Sequence, residues 1–395
     1  IDVPTATRDM LFDMYREFGP DEAISVHRES MSYVVQLSDG YRLFALNDDT
    51  NKNGKSGFSD ECFEWITAEA ERARCDGQMI IAMTHHPLIA PSPIYAMIGK
   101  GDMLGDYEAR IEQLADIGVS FIFTGHTHIH NISDHCSERG NRLYDICTGS
   151  PIGYPGVMRT VTFADDVDIT TDYVSEPQSF RDKGIKLHDA LGQQLIGIIR
   201  RMIEVAATDV DRLADMAVSI SIKPKLVSLK VSTVARWTKK ETGLKKEDYA
   251  DIKDVKVVDI ITELVLNLYG GESKYPPETP VYKITVGLLH IIDSILGILH
   301  IDMKKITKVA GSATELIEPL LYNTNIDSYT AKLPIPRYYP QGEQGEIVET
   351  VKKSKKGLPL IIAAALILIV FLPVWLLLLL IGFLSNSVKY RDKLK

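Results

Sequence analysis

Along residues 1–173 the apolar positions switch repeatedly between strand-like and helix-like spacing. Residues 32–37 and 42–47 predict a strand pair with Asp39-Gly40 at the turn. Ser59 stands before a run with Phe63, Ile66 and Ala70 on one face, which predicts a capped helix to about residue 74. Residues 79–84 (MIIAMT) and 119–124 (VSFIFT) are short continuous apolar runs, the pattern of strands buried on both faces. Between them, 106–117 predicts an amphipathic helix that Gly118 ends. Residues 129–133 and 142–147 predict a hairpin around Ser137-Glu138-Arg139-Gly140. A strand–helix–strand order joining two buried strands implies parallel neighbours with a right-handed crossover. The segment is therefore expected to be α/β, with two sheets.

From 174 to 322 the pattern turns helical. Leu187, Leu191, Leu195, Ile198 and Met202 form one stripe. Residues 257–269 predict a helix ending at Gly270-Gly271, and 281–301 predict another beginning after Pro280. The second is very apolar, but Lys283, His290, Asp293 and His300 interrupt it, so it reads as a buried bundle helix rather than a membrane span. Residues 323–357 are polar, hold Pro334, Pro336 and Pro340, and read as a linker. Residues 358–384 carry no charge. At about 1.5 Å per residue they exceed a roughly 30 Å hydrocarbon core, so they predict a membrane-spanning helix kinked at Pro373. Residues 385–395 form a basic tail.

Composition sharpens this only slightly. A formal net charge of −9 argues against a nucleic-acid partner. The four cysteines show no C-x-x-C spacing and leave the compartment open. The first residue is Ile1 and no leader precedes the first folded-looking segment, so the chain is expected to be processed or truncated at its start.

Candidate chemistry concentrates in two short motifs. Thr84-His85-His86-Pro87-Leu88 follows the strand at 79–84, and Gly125-His126-Thr127-His128 follows the strand at 119–124. Both stand at the carboxyl ends of strands in the expected parallel sheet, where open α/β sheets place ligands. A lone His at a strand end is usually a hydrogen-bonded loop residue. Two His-containing turns at one sheet edge favour a metal such as Zn, Fe or Mn, with Gly125 expected to permit the tight turn. A second candidate is weaker. Asp49, Asn51, Asn53, Gly54 and Asp60 fall at positions of a calcium loop, but Ser56 stands where an apolar residue belongs and a strand precedes it. A polar loop capping the next helix is the preferred reading.

The motifs His85-His86-Pro87 and Gly125-His126-Thr127-His128 resemble those that close the domain of the calcineurin-like metallophosphoesterases. Thr148-Gly149-Ser150-Pro151, Tyr154-Pro155-Gly156 and Arg159 resemble the closing region of its cyclic-nucleotide-phosphodiesterase-like members. The resemblance covers about residues 1–173 and implies the C-terminal part of a four-layer α/β/β/α sandwich with a dinuclear site. By motif position it implies His85 and His126 on one metal and His128 on the other. His86 would face substrate or support a ligand, and a solvated loop His remains an equal alternative. His130 continues the i, i+2 series outside the motif and carries little weight as a site residue.

The family's Asp-x-His, Gly-Asp-x-x-Asp and Gly-Asn-His-Asp/Glu motifs are absent from this sequence. Two ions roughly 3.5–4 Å apart clamp the oxygens of an in-line displacement at phosphorus, and three His without a bridging carboxylate cannot hold such a pair, only one ion weakly. The expectation is a membrane-anchored phosphoesterase of a phosphomono- or phosphodiester, N-terminally incomplete and inactive alone. Its cofactors would be two divalent or trivalent ions (Mn, Fe or Zn), and its partners a phosphate-ester substrate and the lipid bilayer. The rivals are a membrane-tethered scaffold that keeps the fold without catalysis and a calcium-responsive module. Basic residues flank 358–384 evenly on both sides, so the positive-inside rule chooses no orientation. An export signal on a longer parent would place the folded part outside the cytoplasm.

Overall fold

The computed structural model describes residues 5–38, 40–49, 56–208, 228–272, 274–323 and 326–345. The anchor at 358–384, the basic tail and residues 50–55 of the calcium-like loop lie outside the described residues.

After a short helix α1 (Arg8–Met14), strands β1 (Ala23–His27), β2 (Ser32–Ser38) and β3 (Tyr41–Ala45) form an antiparallel meander. Helix α2 (Asp60–Cys75) begins at Ser59, whose hydroxyl accepts a hydrogen bond from the Cys62 amide, as the capping pattern requires. Strand β4 (Met79–Met83) follows, then helices α3 (Pro93–Ile98) and α4 (Tyr107–Asp116), and strands β5 (Val119–Thr124), β6 (Asn131–Cys136) and β7 (Arg142–Cys147). The seven strands form one sheet in the order β1-β2-β3-β4-β5-β7-β6. β3, β4, β5 and β7 run parallel, so the crossover expected between β4 and β5 is present.

Helices α2 and α4 cover one face of this sheet. Ile66 and Leu114 pack with Phe44, Ile80 and Ile122, all essentially without solvent exposure. Each such side chain contributes about 1.5–3 kcal/mol of burial. The other face receives a second sheet, made of β8 (Val157–Phe163), β9 (Asp166–Tyr173) and β10 (Thr330–Pro334) in the order β10-β9-β8. Phe121, Ile132, Tyr144 and Ile146 meet Val167, Ile169 and Leu333 there. The second sheet reaches only part of the first: Ile24, Val26, Leu37 and Met83 remain exposed.

Strand β10 departs from the linker expected over 323–357. Its antiparallel pairing with β9 sets Leu333 opposite Val167 and buries it. Tyr339 bonds Asn141 in both directions, so the Pro-containing stretch continues across the first sheet's edge.

Between β9 and β10 lie helices α5 (Gln178–Arg181) and α6 (Leu187–Thr208), then Val231–Trp237, Val257–Gly270, Pro280–Ile298 and Ala313–Leu321 among others. In α6 the expected stripe holds at Leu191 but not at Ile198, which is exposed while Ile199 is buried, because Leu191 and Ile199 keep an i, i+8 spacing on the packed face. Pro280–Ile298 is the one helix among the described residues long and apolar enough to cross a membrane, on length and composition alone. It buries Val281, Ile284, Leu289, Ile292 and Leu296, packing with Met303, Ala313 and Leu316. Its charged interruption has a partner too. Asp293 accepts from the amides of Ala313 and Thr314 at 2.6 and 3.2 Å, at the N-terminus of the helix Ala313–Leu321.

Candidate metal centre

The helical segment is joined to the sheet's carboxyl edge. Tyr269 accepts the His130 amide at 2.9 Å, and Leu268 and Tyr269 pack with Tyr95, Met103 and Ile129. At that edge Ala45 pairs with Met83, and Met83 with Phe123. Asp48, His86 and His126 each stand three positions beyond that shared rung, so parallel register alone brings them together.

His85, His86 and His126 each offer a ligand nitrogen within 4.8 Å of the others. His126 Nδ1 lies 2.9 Å from His85 Nε2. Two nitrogens about 2.0–2.1 Å from one tetrahedral ion stand about 3.3–3.4 Å apart, so the pair, now at hydrogen-bond distance, needs only a small opening to share an ion. Desolvation, then the neighbouring His86 and His85, push the His126 pKa down. An imidazole kept neutral offers a lone pair, which suits a cation. The three residues thus fit a divalent ion.

His128 is not in this cluster. It is exposed and lies beside the 150–153 loop, where a Cβ on Gly153 would meet its Nδ1 at 3.8 Å. The reason is backbone conformation: His126 and His128 both have left-handed φ, 52° and 57°. Positive φ at both positions breaks the strand alternation that would aim i and i+2 alike. Gly125, expected to permit the turn, is not in that region; a Cβ there would meet nothing closer than 3.9 Å. His86, expected to face substrate, support a ligand or lie in a solvated loop, is the third member of this cluster.

Sequence reasoning missed Asp48, whose side chain is 3% exposed. Its Oδ2 accepts from Thr84 Oγ1 at 2.9 Å and from the His85 and His86 amides at 3.1 and 2.7 Å. Its Oδ1 lies 3.1 Å from His86 Nδ1. The signal that could have found it is an acidic residue just past the end of β3, in parallel register with the His pair. A second buried carboxylate holds the far side of the same loop. Asp145 accepts from the Leu88 and Ile89 amides at 2.7 and 2.9 Å and from Thr124 Oγ1 at 2.5 Å. Burial pushes its pKa up, opposed by these donors.

His130 is fully buried and serves packing. Its Nε2 meets Thr171 Oγ1 and the Arg159 guanidinium at 3.2 and 3.3 Å, and its Nδ1 is 3.3 Å from the Gly149 amide. Burial, with the nearby Arg159 charge, pushes its pKa down to about 3. Arg159 donates to the carbonyls of Cys147 and Ser328 at 2.6 and 3.0 Å, tying the first sheet to the chain entering β10.

No family model matches this chain. No curated protein matches it either. Among solved structures it is similar to a dimetal phosphatase from Danio rerio, with 12% identity and a TM-score of 0.31. The match covers 43% of this chain and 66% of that one, just under two thirds of its length.

Proposed function

We propose that the chain is a metal-dependent phosphoesterase that hydrolyses a phosphomono- or phosphodiester while tethered to a membrane through residues 358–384. The observation that carries this reading is the convergence of His85, His86 and His126 from two motifs at the ends of neighbouring parallel strands. The His-x-Pro and Gly-His-x-His motifs support the same class. A divalent ion held there supplies Lewis acidity toward a phosphoryl oxygen and makes hydroxide available near neutral pH. The chain's own residues supply three nitrogens from two neighbouring turns.

The cluster has the size for one ion. The Asp48 carboxylate, 3.1 Å from His86 Nδ1, is engaged by Thr84, two amides and His86. The expected activity of this chain is therefore low, below the 1–1000 per second, roughly, of ordinary enzymes. The test is ion titration of the purified chain with Mn, Zn and Fe, run beside turnover of an aryl phosphate and an aryl phosphodiester. Binding near one ion per chain with slow hydrolysis supports the reading. No binding of any of the three ions overturns it. An ion bound with no hydrolysis at all favours the scaffold, and turnover at ordinary rates refutes the one-ion limit.

The tether rests on the uncharged run 358–384. We place the folded part outside the cytoplasm. Protease added to intact cells should digest it; survival until the membrane is broken would reverse the orientation.

A further inference from the structure

We infer that Asp48 is the positioning residue of the metal centre, and that it does so by fixing the tautomer of His86 so that Nε2 is the nitrogen turned to the ion. The inference rests on the metal reading above and names how this chain prepares one of its ligands.

A carboxylate only accepts hydrogen bonds. Asp48 Oδ1, 3.1 Å from His86 Nδ1, therefore requires a proton on Nδ1 and leaves the lone pair on Nε2. In an unassisted neutral imidazole the two tautomers compete, and one of them would present N–H, not a lone pair, to a cation. Asp48 removes that competition. It also fixes the orientation, because its other oxygen accepts from the backbone amides of both His85 and His86. One buried carboxylate thus sets where the turn runs, where the His86 ring stands and which nitrogen is available. The ring has little room to turn elsewhere: its centroid lies 4.1 Å from that of His126 and 5.0 Å from that of His85. Carboxylate partners of this kind typically change metal affinity 10–100-fold when removed, by estimates of order of magnitude.

The near-isosteric variant Asp48→Asn makes the test sharp. Its amide oxygen can still accept from Thr84 and the backbone amides, so the loop keeps its anchors. Its amide nitrogen then faces His86 Nδ1 and demands a lone pair there, which moves the proton to Nε2.

The experiment uses the full chain labelled with nitrogen-15 at histidine. Long-range proton–nitrogen correlation reads the His86 tautomer without metal, assigned by its loss in His86→Gln. Zinc titration then reads affinity in wild type and variant. The expected result is an Nδ1–H imidazole in the wild type, an Nε2–H imidazole in Asp48→Asn, and about 10–100-fold weaker zinc binding by the variant. Amide spectra that match elsewhere would show the variant is folded. An Nε2–H tautomer in the wild type overturns the inference, as does wild-type zinc affinity in a variant whose tautomer has switched. If Asp48→Asn does not fold, the wild-type tautomer decides alone. A wild type that binds no zinc but holds Nδ1–H would refute the metal reading and support the Asp48 assignment.

Discussion

At the scale of single residues, the arrangement ranks the histidines. His85, His86 and His126 share one cluster and His128 stands outside it. Alanine at any of the first three should weaken zinc binding by at least about tenfold, and by more than alanine at His128. Calorimetric titration of the four variants checks the order, and an equal or larger loss at His128 would contradict it. Much of this site was legible. The two motifs after two apolar runs point to this edge, where His85 and His126 stand 2.9 Å apart. His86 joins the cluster and His128 stands apart from it for a local reason. Residue spacing predicts direction only while the backbone stays extended, and both His126 and His128 sit at left-handed φ. Asp48 was hidden because the sequence marked the neighbouring strands β4 and β5 but gave no sign that β3 also runs parallel to β4.

At the scale of elements, strands and caps followed the pattern closely, because burial on one or both faces writes itself into apolar spacing. Ser59 began a helix and Gly118 ended one where their chemistry suggested. Strand β10 was illegible. Its one buried side chain is Leu333, too little for an apolar pattern, and the prolines around it suggested a linker. Proline is tolerated there because β10 is an edge strand and Pro334 closes it. The apolar helix Pro280–Ile298 offers a check on its reading as a bundle element. Leu289 is 3% exposed inside that packing. Leu289→Ala should cost about 2–5 kcal/mol of stability, measured by urea unfolding of a chain cut before residue 346. A change below about 1 kcal/mol, the range of surface sites, would mean the helix is not packed as described.

At the scale of the whole molecule, His130 gives stability a pH dependence. The folded chain holds it neutral, with its pKa lowered from 6.5 to about 3. The unfolded chain protonates it near 6.5. Stability from this group is therefore fully present above 6.5 and falls as the pH drops below it, down to about 3. The slope is about 1.4 kcal/mol per pH unit, so about 2 kcal/mol is lost by pH 5. His130→Gln should show a correspondingly smaller loss between pH 7.5 and pH 5 in urea midpoints. An identical loss in both proteins would refute the assignment.

Strand β10 also has a consequence in time. Its partner β9 ends at Tyr173, and β10 begins only at Thr330. A ribosome adding roughly 5–20 residues per second spends on the order of ten seconds between the two. Throughout that interval one edge of β9 has no strand beside it, and Arg159 waits for the Ser328 carbonyl. An unpaired edge invites other chains. Nascent chains arrested before residue 330 should therefore be cut by protease at β8 and β9, and should aggregate on release. Chains arrested with residue 345 clear of the ribosome should resist. Equal resistance at both lengths would show that the second sheet is stable without its last strand.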